Sequence, residues 1–87
     1  MSVLRIDELF ESPSSVKLKP QGSVAGEWVL LLEERILRSL QTTEKVFLDF
    51  SELRFVDKYG LEMLRRLPSA KIEIINCPGF IEELLKE

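Results

Sequence analysis

The sequence predicts an α/β domain in which three helices pack on a mixed four-stranded sheet, with the elements in the order ββαβαβα. Two observations predict this fold class. Four short segments carry the apolar pattern of strands, and three others repeat apolar residues at helical spacing. The chain has 87 residues, of which 45% are hydrophobic and 31% are charged. This composition is typical of one small globular domain, which we expect to span residues 1–87.

The first two strands are expected to form an antiparallel pair. VLRIDELF (residues 3–10) and VKLK (residues 16–19) alternate apolar with polar side chains, and the turn-rich segment ESPSS lies between them. Alternation interrupted by serine and proline is the pattern of two strands joined by a turn. Pro20 and Gly22 should then break the second strand.

The first helix is expected over VAGEWVLLLEERILRSLQ (residues 24–41), with Ser23 as its N-cap. Glu34 and Arg38 stand at positions i and i+4, in the order that favours an ion pair on a helix surface. Trp28 is interpreted as core or edge packing rather than as a platform for a ligand. The residues that recur at helical spacing, and should face the core, are Val29, Leu32, Ile36 and Leu40.

The second half of the chain predicts two more strands and two more helices. VFLDF (residues 46–50) suits a central strand that is covered on both faces. Pro68 ends the helix that follows, KIEIINC (residues 71–77) forms the last strand, and FIEELLKE (residues 80–87) forms the closing helix. Strand-helix-strand units place their strands parallel, so we expect every pairing after the first to be parallel. The inward faces should be Leu61, Leu64 and Leu67 in the second helix and Ile81, Leu84 and Leu85 in the third.

The junction before the second helix is where the sequence predicts a site. Sites in open α/β sheets lie beyond the carboxyl ends of parallel strands, and residues 52–60 leave the central strand from that end. Asp57 is expected to cap the helix. A glycine inside a helix lowers the stability of the helix by about 1 kcal/mol relative to alanine. Gly60 should therefore mark the close approach of another backbone or of a partner. Lys58 opposes the helix dipole, and Tyr59 offers the kind of amphipathic surface that is enriched in interfaces.

The composition excludes several classes of function. The chain has no histidine and one cysteine, Cys77, which is interpreted as a small buried apolar residue. Hydrolytic triads, zinc sites and internal disulfides are therefore not expected. The net charge of −3 provides no basic field for nucleic acid, and no apolar run reaches the roughly 18 residues of a membrane span. We predict a cytoplasmic protein with no cofactor, no metal, no nucleic-acid partner and no direct membrane insertion.

Carboxylates are the remaining candidates for catalysis. Asp49, Glu52 and Asp57 could in principle pair, but a strand-end role and a capping role explain Asp49 and Asp57 without chemistry. The sequence offers no matching set of base, nucleophile and metal ligands. We therefore predict that the protein is not an enzyme.

The segment LDFSELRFVDKYGLEML (residues 48–64) resembles the signature of STAS domains, the fold of bacterial anti-sigma-factor antagonists. LDFS (residues 48–51) matches the end of the family's strand, residues 55–57 match the entry to its motif, and residues 60–61 match the start of its helix. LKPQGSVAGEWV and IEIINCPGFIEELL are similar to the flanking segments of the family. The resemblance covers about residues 16–87 and implies a STAS-like fold with the element order given above.

The resemblance also implies a role in bacterial signalling and transcription regulation. In antagonists that switch partners, a kinase of the anti-sigma type phosphorylates the hydroxyl residue immediately before the motif's glycine. That position is Tyr59 here, and its neighbour, often serine in the family, is Lys58. The usual serine or threonine phosphoacceptor is therefore missing. A kinase site shaped for serine would misplace a phenol oxygen relative to the reacting phosphate, so we do not expect Tyr59 to be phosphorylated.

The predicted function is a protein-interaction module that binds an anti-sigma or kinase-type partner. The predicted contact surface combines the exposed side of the second helix with Asp57, Lys58, Tyr59, Gly60 and Leu61. The sequence leaves an alternative open, a STAS subunit of a transport system that binds a nucleotide or a lipid, although neither a G-x-G-x-x-G nor a Walker pattern occurs. A homodimer also stays open.

Overall fold

The computed structural model describes residues 3–86. Within them the chain forms five strands and three helices, and all five strands belong to one sheet. Four strands lie in the order β1-β2-β3-β5, and β4 pairs with β2. The strands are β1 (Arg5–Ser12), β2 (Ser15–Val24), β3 (Lys45–Asp49), β4 (Leu53–Val56) and β5 (Ile72–Ile75), and the helices are α1 (Trp28–Thr42), α2 (Lys58–Arg66) and α3 (Gly79–Leu85).

The strand directions confirm the predicted mixed α/β sheet. β1 is antiparallel to β2, whereas β2–β3, β2–β4 and β3–β5 are parallel. The predicted count of four strands is too low by one, because residues 53–56, expected in a loop, form β4. This strand has only four residues, and its two buried side chains, Leu53 and Val56, stand at its ends. A pattern this short does not show the alternation that identifies a strand.

β2 continues past its predicted end because it has two parallel neighbours in succession. Residues 15–18 pair with β3, and residues 22–24 pair with β4. Pro20 lies between these two pairings, where its missing N–H breaks no ladder hydrogen bond. Gly22, with φ of 108°, lies at the bulge where the pairing with β4 begins. The prediction that Pro20 and Gly22 break the strand is therefore wrong.

α1 begins at Trp28 rather than at residue 24. Ser23 is buried in β2 and is paired with Phe55 of β4, so the prediction that it caps the helix is wrong. Glu27 is the N-cap and makes no side-chain cap hydrogen bond. Pairing with β4 thus overrides the local capping signal. The predicted inward face is confirmed, with Val29, Leu32 and Ile36 buried and Leu40 partly buried.

The hydrophobic core fills the space between the sheet and the helices. α2 and α3 contribute the predicted Leu64 and Ile81, and also Met63, which was not predicted. The predicted Glu34–Arg38 ion pair forms at 2.6 Å. No helix within residues 3–86 has the length and apolar character needed to span a membrane. The largest fully buried side chains of the core include Phe50, Leu18, Leu32, Ile36, Leu48, Met63 and Ile81.

Candidate functional site

The predicted site lies at the carboxyl ends of two adjacent parallel strands. Val24 ends β2, Val56 ends β4, and the two residues are paired in register. The N–H of Asp57 donates to the carbonyl oxygen of Val24 at 3.1 Å, and α2 begins at Lys58. The junction therefore leaves the sheet from β4 rather than from β3. It still lies at the carboxyl edge, where sites in parallel sheets are expected.

The carboxylate of Asp57 connects two loops. Its Oδ1 accepts a hydrogen bond from the N–H of Gly60 at 2.8 Å, which confirms the predicted N-cap. Its Oδ2 accepts from the N–H of Gly26 at 2.9 Å, in the loop between β2 and α1. Hydrogen bonds to a charged group each contribute about 1.5 to 3 kcal/mol. One side chain thus holds the start of α2 and the β2–α1 loop at a fixed separation.

Gly60 is buried where α2 crosses the strand ends. A Cβ at this position would lie 2.7 Å from the carbonyl oxygen of Val24 and 2.8 Å from Cγ1 of Val56. The close approach that the sequence predicted at this glycine is therefore made by the chain's own backbone. Leu61 is half-buried and packs against the core. Both residues hold α2 against the sheet and offer little surface to a partner.

Lys58 and Tyr59 are the exposed members of the predicted set. The Tyr59 side chain is 59% exposed, and the Nζ of Lys58 lies 5.3 Å from the centroid of its ring. This geometry is a cation–π contact. The N-terminus of α2 therefore presents an aromatic ring with a positive charge beside it.

A groove of ≈ 290 Å³ lies beside Tyr59, between α1 and α2. Leu30, on the α1 side, is 71% exposed. Sequence reasoning missed Leu30, although a signal was present: residues 28–32 are all apolar, and one helix face cannot bury five consecutive residues. The groove is lined by Gly26, Val29, Leu30, Tyr59, Glu62 and Arg66.

A second polar centre lies at the end of β3. Asp49 is only 6% exposed, and its Oδ1 accepts from the N–H of Ser51 at 3.0 Å and from Nδ2 of Asn76 at 3.2 Å. Burial raises the pKa of Asp49, but these hydrogen bonds and the charge of Lys19 outweigh burial, so its pKa lies below the ordinary 3.8. Asp49 therefore joins the start of the β3–β4 connection to the end of β5.

Cys77 is half-buried and packs against the core. Burial raises the pKa of its thiol, and the negative charge of Glu82 raises it further. The thiol form is therefore favoured, as the interpretation of Cys77 as an apolar residue requires. In the described part of the chain, no cluster of three or more histidine, cysteine, aspartate or glutamate side chains is placed to hold a metal ion.

Comparison with known proteins finds similarity among solved structures. No protein-family model matches the chain, and no curated protein matches it. Among solved structures, the chain is similar to the anti-sigma factor antagonist SpoIIAA in its unphosphorylated form, with a TM-score of 0.72 and 14% sequence identity. The likeness covers 94% of this chain and 78% of the other. The chain therefore has the STAS-like fold that the resemblance of residues 48–64 implied.

Proposed function

We propose that this chain is a protein-interaction module that binds an anti-sigma or kinase-type protein in the bacterial cytoplasm. The proposed contact surface, called here the turn surface, comprises Lys58, Tyr59 and Leu30 with the groove between α1 and α2. One observation carries the proposal: two large side chains, Tyr59 and Leu30, stand 59% and 71% exposed on either side of this groove. Exposed apolar and aromatic groups that flank a groove are typical of protein-contact sites.

The likeness to an anti-sigma factor antagonist supports the class of partner. In this proposal the chain acts by binding and not by catalysis. Asp57 and Gly60 shape the turn surface without contacting the partner, because the carboxylate of Asp57 is occupied by two backbone N–H groups and Gly60 is buried. Of the predicted contact residues, Lys58 and Tyr59 supply the accessible surface.

The proposed module lacks the serine or threonine that the family resemblance implies at the phosphorylated position of this turn. Tyr59 is the second residue of α2, where a phosphate on a short side chain would meet free N–H groups and the positive end of the helix dipole. In Tyr59 the aromatic ring lies between the Cβ and the phenol oxygen, so the oxygen is farther from the backbone N–H groups than a serine oxygen would be. We therefore propose that binding is constitutive, or is controlled by a means other than phosphorylation of this turn.

Binding to a purified anti-sigma-type kinase from the same genome, measured by isothermal titration calorimetry, tests the proposal. Lys58→Glu and Tyr59→Ala should each weaken binding about tenfold or more, as hot-spot residues do. Two exposed residues outside the turn surface give matched controls, Lys71→Glu for charge and Phe80→Ala for an aromatic ring. Both controls should bind as the wild type does. Equal affinity for all five proteins would exclude the turn surface.

The same kinase tests the missing switch. Incubation with ATP should transfer no phosphate to the wild-type turn, whereas Tyr59→Ser should accept phosphate and then lose affinity for the kinase. Phosphorylation of wild-type Tyr59 would contradict the proposal. If the kinase does not bind, and a nucleotide or a fatty acid instead raises the melting temperature, the transport-subunit alternative is favoured.

A further inference from the structure

β1 presents an open edge of the sheet. Within residues 3–86, β2 is its only strand partner. An open edge carries unpaired N–H and C=O groups and serves as a template for another strand. β1 is eight residues long, and its side chains include Leu9 and Phe10, which are 54% and 60% exposed. The edge is therefore long enough to pair with a strand from another molecule, and it carries two exposed apolar side chains among four charged ones.

The register between β1 and β2 shows which backbone groups point outward. Ile6 lies opposite Pro20, which has no N–H to donate. The N–H of Gly22 donates to Glu52 and the C=O of Val24 accepts from Asp57, so the even-numbered residues of β2, Pro20 among them, face away from β1. Ile6 and Pro20 are therefore a non-hydrogen-bonded pair, and the pairs alternate along the antiparallel ladder as far as Phe10, beyond which the register shifts. It follows that Ile6, Glu8 and Phe10 direct their N–H and C=O groups away from β2.

We propose that two copies of the chain pair antiparallel through β1, so that the two sheets become continuous across a two-fold axis at Glu8. In this register Ile6 faces the partner's Phe10, Glu8 faces the partner's Glu8, and Phe10 faces the partner's Ile6. These are the three positions whose backbone groups point outward. Each such pair exchanges two hydrogen bonds, about six in all.

The side chains favour this register. Arg5, which binds Asp7 of its own chain at 3.2 Å, faces the partner's Glu11, a residue that binds Lys17 of its own chain at 3.4 Å. The contact therefore joins two positive and two negative charges, and symmetry repeats it. The exposed ring of Phe10 is covered by the half-buried Ile6 of the partner subunit. The two Glu8 carboxylates meet at the axis, where each is already paired with Arg35 of its own chain at 3.0 Å. The axis therefore gathers two negative and two positive charges.

The neighbouring registers lose these contacts. A shift of two residues in one direction places Asp7 opposite the partner's Glu11, two like charges that repel. The opposite shift places Ile6 against the partner's Glu8 and leaves Arg5 opposite the partner's Leu9. Charge complementarity therefore selects a second copy of this chain as the occupant, and the axis at Glu8 as the register.

Light scattering and analytical ultracentrifugation of the full chain, from micromolar to millimolar concentration, test the proposal. The wild-type mass should rise with concentration from 10.1 kDa to twice that value. Glu8→Pro removes an outward N–H and should weaken self-association about tenfold or more. Glu8→Ala removes the same side chain but keeps the N–H, so it should stay within about threefold of the wild type. Circular dichroism checks that each variant is folded.

A charge exchange tests the register itself. Arg5→Glu and Glu11→Arg each place like charges opposite one another, so each variant alone should self-associate more weakly than the wild type. Mixing the two variants restores opposite charges in both pairs, so fluorescence energy transfer between labelled chains should reveal a heterodimer. The proposal is overturned by a wild-type monomer at every concentration, by a dimer that Glu8→Pro leaves unchanged, or by a mixture that forms no heterodimer.

Discussion

Replacing Gly60 with alanine tests why the first turn of α2 contains a glycine. In an isolated helix this change would stabilise by about 1 kcal/mol, because alanine has the higher helix propensity. In the folded chain the added Cβ would lie 2.7 Å from the carbonyl oxygen of Val24 and 2.8 Å from Cγ1 of Val56. That carbonyl also accepts the N–H of Asp57 at 3.1 Å. Moving it would disturb the bond that ties the α2 junction to β2.

The steric effect should outweigh the gain in propensity. Overpacking a core usually costs about 1 to 3 kcal/mol, and the upper part of that range applies because one of the clashing atoms belongs to the backbone. The expected net loss in free energy of unfolding is about 1 to 2 kcal/mol. In a domain of this size, that loss lowers the melting temperature by roughly 5 to 10 °C.

Thermal and urea unfolding, followed by circular dichroism, measures this loss. Gly79→Ala is the matched control, because no atom lies within 4 Å of the added Cβ at the start of α3. This control should keep or raise the stability, by up to about 1 kcal/mol. Should Gly60→Ala match the wild type or gain stability as Gly79→Ala does, the steric explanation is wrong, and Gly60 must be explained by contact with a partner.

Three further predictions concern polar groups. Asp57→Ala should lower the free energy of unfolding by about 2 to 4 kcal/mol in urea titrations, because two backbone N–H groups lose their acceptor; a loss no larger than that of an ordinary surface change would contradict this. The folded pKa of Asp49 lies below 3.8, so the ionised carboxylate stabilises the fold above pH 3.8, and this stabilisation is lost as the pH falls through the folded pKa. In Asp49→Asn, the melting temperature should therefore no longer show the drop with falling pH that Asp49 contributes. The raised pKa of Cys77 should make the folded thiol react more slowly than glutathione with a disulfide reagent at the same pH, and Glu82→Gln should speed the reaction.

The elements that depend on a local pattern were predictable from the sequence. Helical periodicity is a property of one segment, and in α1 it correctly identified the buried Val29, Leu32 and Ile36. The predictions that were wrong concern residues whose structure is determined by pairing with a distant segment. Ser23 has the sequence features of a cap, but it pairs with Phe55 of β4 and joins β2. β4 itself is stabilised by its pairing with β2, and its four residues carry no periodic signal of their own.

The candidate site likewise has some contacts that a local pattern predicts and others that depend on a distant segment. The bond from Asp57 to the N–H of Gly60 spans three residues and could be predicted as an N-cap. The bond to the N–H of Gly26 spans 31 residues and could not, because it requires the β2–α1 loop to lie beside α2. The same packing of α1 against α2 creates the groove between Leu30 and Tyr59. Local sequence thus predicts which residues shape the turn, and the fold determines which surface surrounds it.

This division explains how the exposed residues of the turn can change while the fold is kept. Asp57 and Gly60 supply the geometry, and altering either should cost about 1 to 4 kcal/mol. Lys58 and Tyr59 are exposed, and substitutions at such positions usually change stability by within about 0.5 kcal/mol. The cation of Lys58 opposes the helix dipole by about 0.3 to 1 kcal/mol, and its contact with the ring of Tyr59 returns about 0.5 to 1 kcal/mol. The frame of the turn and the chemistry displayed on it are therefore energetically separable, so Tyr59→Ser should change the displayed surface at a cost in free energy of unfolding of no more than about 1 kcal/mol, the value of the cation–π contact that it removes.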